Sequence, residues 1–306
     1  MYKIFEVPAN SAESSEQLGT KFKIWYRDPD YGQMLVKEGR PGTGENWAEK
    51  IACELAGELG IPHAHYEFAT YQDKQGVVTR MLVERGARLI HGNELLTSYA
   101  IDYDSEQSKI YRRRNHTLRR VLGYFRRSTN LIGAPYGFKR TEHIKDALDV
   151  FIGYLMFDAW IANQDRHDEN WGLLRAADGN SFLSPSYDHG SSMGRNESTE
   201  KMLNMLVTKD KNQHISKYVL SARSALYPHA GDERVKAVTT IEAFSQAAKL
   251  RPDAAEEWRT RLRQIIPKAV EEIIAKVPLH LMPEPARAFT KELLRINRER
   301  ILDCEI

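Results

Sequence analysis

The chain has 306 residues, 42% hydrophobic and 28% charged, with a mean hydropathy of −0.55. That length can bury the core of one large domain or two lobes, and no apolar run is long enough to span a bilayer. The 44 Lys and Arg against 42 Asp and Glu leave a formal charge of only +2, so any binding of anions must rest on local patches.

The opening "MYKIFEVPANS" lacks the basic and apolar regions of a signal peptide, and Cys53 and Cys304 show no metal-type spacing. Both features lead us to expect a cytoplasmic protein with reduced thiols, secretion as an effector being left open. Tyr2 to Val7 and Phe22 to Tyr26 alternate apolar and polar positions as strands do, with the polar stretch "PANSAESSEQLGT" read as a loop between them. "RDPDYG" is a turn, and "QMLVK" (Gln33 to Lys37) reads as a third strand. A helix is expected from Glu45 to Leu59, because Trp47, Ile51, Leu55 and Leu59 recur every fourth residue and Gly60 is placed to end it. Two more strands are expected near Ala64 to Tyr71 and Val77 to Glu84, around the turn "QDKQG".

Beyond Gly86 the pattern becomes helical. "HTLRRVLGYFRRS" and "EHIKDALDVFIGYLMFDAWIAN" are long periodic segments, the second apolar on most of its circumference and so expected at the centre of a helical lobe. It leads into the polar cluster "NQDRHDEN", after which "WGLL" and "SFLSP" read as a β-hairpin. The expected fold class is α+β, with a small β lobe over residues 1–85 and a larger helical lobe over 86–306.

The cluster carries the chemistry. Asp165 and Asn170 stand in the D-x-x-x-x-N spacing of a protein-kinase catalytic loop, and Asp188 follows the hairpin in "YDHG". Phosphoryl transfer needs hard oxygen ligands for Mg²⁺ beside an aligned base, which these residue types supply. A solvated turn with ordinary surface acids is the plain alternative. In the β lobe, Lys37 ends an apolar strand, where a kinase keeps the lysine for the nucleotide phosphates. Among the glutamates of the next helix we select Glu49 as its ion-pair partner. Lys37 would otherwise be a strand-end lysine reaching into solvent. Of two glycine-bearing loops, "GRPGTG" lacks the P-loop spacing, and "SSEQLGTKFK", with Gly19, Lys21 and Lys23, is the better phosphate cradle.

"NQDRHDENWGLL" with "LSPSYDHGSS", and in the first lobe "LGTKFKIWY", "LVKEG" and "GENWAEKIACELAGELGIP", together resemble the HipA-like serine/threonine kinase family, notably its short, CtkA-type members. The resemblance runs from Ser14 to Gly194, leaving no room before Ser14 for the additional N-terminal subdomain of longer members. It implies a bilobal protein-kinase-like fold with a small antiparallel β lobe, ATP and Mg²⁺ as cofactors, and a protein Ser/Thr acceptor. Lys37 would contact ATP phosphates, Asp165 would be the catalytic base, Asn170 and Asp188 would bind Mg²⁺, and Val83, Glu84 and Arg85 would line adenine. It further implies autophosphorylation of the phosphate loop at Ser14, Ser15 or Thr20, a toxin or effector role, and an antitoxin-like partner. The D-R-H order also resembles lipid kinases. Small-molecule kinases, a two-metal phosphoesterase and a non-catalytic nucleotide-binding module are the other classes considered. The basic run with Arg112, Arg113, Arg114, Arg119, Arg120, Arg126 and Arg127 offers a docking patch or a solvated helix face. No aromatic platform accompanies it, so direct nucleic-acid binding is not expected, nor is an integral membrane segment.

Overall fold

The computed structural model describes residues 1–15, 22–83, 86–100, 103, 114–231 and 234–306. Gly19, Thr20, Lys21, Glu84, Arg85, Arg112 and Arg113 lie outside them.

Residues 4–80 build a six-stranded sheet in the order β1 (Ile4–Val7), β5 (Tyr66–Tyr71), β6 (Lys74–Arg80), β4 (Gly32–Glu38), β3 (Lys23–Asp28), β2 (Ala12–Ser15). Every pairing is antiparallel except β1 with β5, which run parallel from Ile4 opposite Phe68 to Val7 opposite Tyr71. The lobe expected to be antiparallel is therefore mixed at one edge. Strand β2 falls in the stretch read as loop. All four of its residues are exposed, so no alternation marks it, and its pairing with β3 alone defines it.

Central strand β4 is buried on both faces. Met34 and Val36 join Ile24, Tyr26, Ala69, Tyr71 and Val78 in a small core on one side. Lys37 therefore points to the opposite side, by the two-residue period of a strand. There lies α1 (Glu45–Leu59), whose bounds match those expected and which Gly60 ends in the left-handed conformation at φ +69°.

The core under α1 continues without a break into the helical part, through α4 (Ala147–Ile161) to α10 (Glu284–Asp303). Every residue of α4 is buried. Its start is set by a capping box, in which Asp146 accepts from the Asp149 amide while the Asp149 carboxylate accepts from the Asp146 amide. Residues 142–146, expected in this helix, thus precede it. Truncating a fully buried α4 side chain such as Phe157 to Ala would cost about 3–5 kcal/mol.

A second sheet of four strands, in the order β7 (Arg88–His91), β9 (Gly172–Arg175), β10 (Ser181–Leu183), β8 (Ile132–Gly133), lies beside α4. The expected hairpin is β9–β10, whereas β7 and α2 (Gly92–Tyr99) occupy a stretch with no strand expected. Helix α3 (Leu118–Arg127) buries Leu118, Val121, Leu122 and Phe125 and exposes Arg119, Arg126 and Arg127. Arg114 and Arg120 instead donate to the carbonyls of Val235 and Asn115, so the basic run is not one solvent face. Pro267 divides the long C-terminal periodic stretch into α8 (Pro252–Gln264) and α9 (Pro267–Ala275). Among the described residues no helix is long and apolar enough to cross a membrane.

Candidate active site between sheet and helices

Helix α4 ends at Ala162, which takes φ +53°, a left-handed conformation unusual for a residue with a Cβ. The chain then enters residues 163–170, whose polar side chains are mostly consumed in holding the loop. Asn163 Nδ2 donates to Asp158 Oδ1 at 2.8 Å. Arg166 is fully buried and grips Asp158 through Nε at 2.8 Å and Nη2 at 2.7 Å. Its Nη1 donates to the Asn170 carbonyl at 2.9 Å, and Nη2 also lies 2.9 Å from Ser186 Oγ. One guanidinium thus joins α4, the loop and the segment leading to Asp188. Its charge is sustained despite burial because the Asp158 carboxylate and its hydrogen bonds outweigh desolvation and raise the Arg166 pKa.

The geometry gives Asp165 and Asn170 different environments. Asn170 Nδ2 donates to the Asp165 carbonyl at 2.7 Å, which leaves Oδ1 as the atom a cation would use. The Asp165 carboxylate accepts from Ser191 Oγ at 3.1 Å and lies 3.8 Å from His167 Nε2. Asp168 is buried, accepts a hydrogen bond from the Tyr103 hydroxyl, and offers its carbonyl to the Asn93 amide.

After the β9–β10 hairpin, Asp188 takes φ +59°, and Met193 takes φ +51° five residues on. Non-glycine residues held this way cost about 1–3 kcal/mol each and tend to gather at functional sites. The Lys37 ammonium lies 3.4 Å from Asp188 Oδ1 and donates to the Tyr66 hydroxyl at 3.1 Å. Burial alone would lower the Lys37 pKa, but the negative charge of Asp188 overrides it and the pKa stands well above its ordinary value.

Glu49, the expected partner of Lys37, is engaged elsewhere. Its carboxylate accepts from the backbone amides of His189 at 2.7 Å and Gly190 at 3.1 Å, and it acts on Lys37 as a more distant charge. A Cβ on Gly190 would lie 3.1 Å from both Glu45 Cγ and Glu49 Oε2, so glycine allows this close approach. Glu45 lies 3.0 Å from Arg195 Nη1, and Arg195 Nη2 donates to Ser191 Oγ at 3.0 Å. Two links therefore run from α1 to the segments around Asp188 and Asp165, one through Glu49 and one through Glu45, Arg195 and Ser191 to Asp165.

Ser14 and Ser15, read as loop residues, lie in strand β2, and Val83 is half-buried beyond β6. The roles expected for Gly19, Lys21, Thr20, Glu84 and Arg85 fall outside the described residues. Asp158, Arg166, Ser186, Arg195 and Tyr66 escaped the sequence reading. Asp158 alone carried a signal, since apart from Asp149 in the first turn it is the one acid of an otherwise apolar helix, which demands a buried cationic partner. A separate cavity of about 510 Å³, lined by Trp160, Ile215, Ile265 and Leu294 among others, shares no residue with this cluster.

A kinase-like α+β fold with this polar centre defines the class. The chain is similar to the Helicobacter pylori proinflammatory kinase CtkA, with a TM-score of 0.76, 18% identity, and 98% of this chain covering 96% of that one. It is similar also to a chain of the Shewanella oneidensis MR-1 HipA–HipB toxin–antitoxin complex with operator DNA, with a TM-score of 0.54, 11% identity, and 98% of this chain covering 69% of that one. No curated protein sequence matches significantly. The family model for the HipA-like C-terminal domain matches residues 14–275, and the chain belongs to that family.

Proposed function

We propose that this protein is an ATP- and Mg²⁺-dependent kinase that transfers the γ-phosphoryl group to a serine or threonine hydroxyl of a protein. The observation that carries the reading is the Lys37–Asp188 contact of 3.4 Å, formed where α1, the central strand and the post-hairpin segment meet. A lysine with its pKa raised is fully charged at neutral pH and suited to hold phosphate oxygens. Asp188 and Asn170 Oδ1 are the hard oxygen donors that Mg²⁺ requires, so the residues fit the ion. When bound, Mg²⁺ supplies neutralisation of charge on the β and γ phosphates.

Asp165 is assigned as the base. Ser191 fixes one of its oxygens, and the Asn170 amide fixes its backbone, so the carboxylate is aimed before substrate arrives. The acceptor oxygen attacks the γ-phosphorus, the bond to the bridging oxygen breaks, ADP leaves, and the hydroxyl proton passes to Asp165. Gly19, Lys21, Val83, Glu84 and Arg85 remain proposed nucleotide contacts, and cytoplasmic location a proposal. The Shewanella assembly contains HipB, which makes an antitoxin-type protein the partner to seek.

A two-metal phosphoesterase would need converging carboxylates and histidines. His189 instead faces Arg166 and Ser186, and the three-ligand convergence found among the described residues lies outside this loop. The test is incubation with ATP, Mg²⁺ and a Ser/Thr peptide library, read by mass. Asp165→Asn should lower transfer by about 10²–10⁴-fold with nucleotide affinity retained. Unchanged transfer would move the base elsewhere, and phosphate release without ATP would favour the phosphoesterase.

A further inference from the structure

The spacing of Cys53, His63 and His65 carries no metal signature, yet the fold brings their ligand atoms within 4.8 Å of one another. Cys53 comes from the middle of α1, and both histidines from the turn that carries the chain into β5. The two imidazole rings lie 4.8 Å apart, centre to centre.

Each of the two inner groups already has the outer partner that a metal ligand needs. His63 Nδ1 is 2.7 Å from the Ile61 carbonyl, so Nδ1 carries the proton and the Nε2 lone pair is left for a cation. Cys53 Sγ accepts from the Tyr66 amide at 3.3 Å, the hydrogen bond that a metal-bound thiolate uses to spread its charge. Burial pushes the free thiol up to about 12 and lowers the His63 pKa, so the pair rests as a neutral thiol and a neutral imidazole. Lys50, a cation close to Cys53 and His63, is paired with Glu54 at 2.6 Å and Glu67 at 2.9 Å.

We propose that Cys53, His63 and His65 bind a zinc ion through one thiolate and two imidazoles, with a fourth position open to water. Zinc suits the site because it accepts mixed sulfur and nitrogen donors and imposes no geometry of its own. The thiol proton leaves to solvent as the sulfur–zinc bond forms, with no change of oxidation state. The ion would stand one turn along α1 from Glu49, on the same face. It would also fix the turn whose Pro62 carbonyl and Ala64 amide bond Ser186 at 2.8 and 2.9 Å, just before Asp188.

The inference is independent of the kinase reading. Full-length, metal-stripped protein is titrated with Co²⁺ and the absorbance followed, then with Zn²⁺ against a chromophoric chelator. The expected result is a thiolate-to-cobalt charge-transfer band with one ion per chain, displaced by Zn²⁺. Cys53→Ser should abolish the band, and His65→Ala, at an exposed position, should weaken zinc binding by at least about tenfold. Asp188→Ala should change neither. Absence of the band, or zinc affinity unaltered in His65→Ala, overturns the proposal.

Discussion

Glu49 reaches from α1 to the backbone amides of His189 and Gly190, at 2.7 and 3.1 Å, and so fixes the residue just before them, Asp188. In a kinase the helix glutamate is expected to steady the lysine. Here Lys37 has Asp188 and Tyr66 as its near neighbours, and Glu49 shapes the loop beneath them.

Glu49→Ala should therefore loosen the loop and lower phosphoryl transfer by about 10–100-fold, as removal of an outer support commonly does. Glu54→Gln, on the same helix but paired with the buried Lys50 instead of the loop amides, should leave transfer nearly unchanged. Equal effects of the two substitutions in a transfer assay would remove the special role of Glu49.

The Asp158–Arg166 pair is buried on both sides. Arg166→Met alone leaves a buried carboxylate without its cation and should cost about 3–5 kcal/mol in urea unfolding. Asp158→Leu combined with Arg166→Met should recover most of that stability but not the transfer activity, because the guanidinium also holds the Asn170 carbonyl and Ser186. Recovery of both would make the pair a packing element only.

Burial, and then the Arg166 charge, push the His189 pKa well below its usual value, so the folded protein keeps this ring neutral. Its Nε2 lies 2.7 Å from Ser186 Oγ and 3.3 Å from Arg166 Nη2. The unfolded chain takes up a proton near pH 6.5, whereas the folded one resists. The contribution is thus intact above about pH 6.5 and is lost progressively as pH falls toward the folded pKa. Unfolding midpoints measured from pH 7.5 to 5 should fall more steeply for the wild type than for His189→Gln. Parallel curves would deny His189 this role.

Ser14 and Ser15 are exposed on the edge strand that leads toward Gly19, which gives a kinase acting on its own chain an accessible hydroxyl. Incubation with ATP should place phosphate within Ser11 to Thr20 and weaken nucleotide binding, because it adds about −1.5 to −2 charges beside the proposed phosphate loop. Peptide mapping against the Asp165→Asn variant checks this. Phosphate elsewhere, or undiminished binding, ends the regulatory idea.

Much of this arrangement is written in local pattern. The apolar repeat of α1 and the glycine after it predict that helix to the residue, and the mostly apolar run before Asn163 predicts a central buried helix. What escaped depends on partners distant in sequence. Strand β2 has four exposed residues and exists only by pairing with β3, and the parallel edge of β1 needs a neighbour more than 60 residues away. Nothing in the loop sequence alone shows that Arg166 folds back onto Asp158, which lies in the last turn of α4. The convergence of Cys53 with His63 and His65 likewise appears only once the turn after α1 folds back beside the helix.

The central claim, that Lys37, Asn170 and Asp188 mark a site for ATP and Mg²⁺, is tested most directly by calorimetry with a non-hydrolysable ATP analogue. The account predicts binding that strengthens with Mg²⁺ in the wild type and loses that metal dependence in Asp188→Ala. Affinity that is the same with and without Mg²⁺, and unaffected by the substitution, would contradict it.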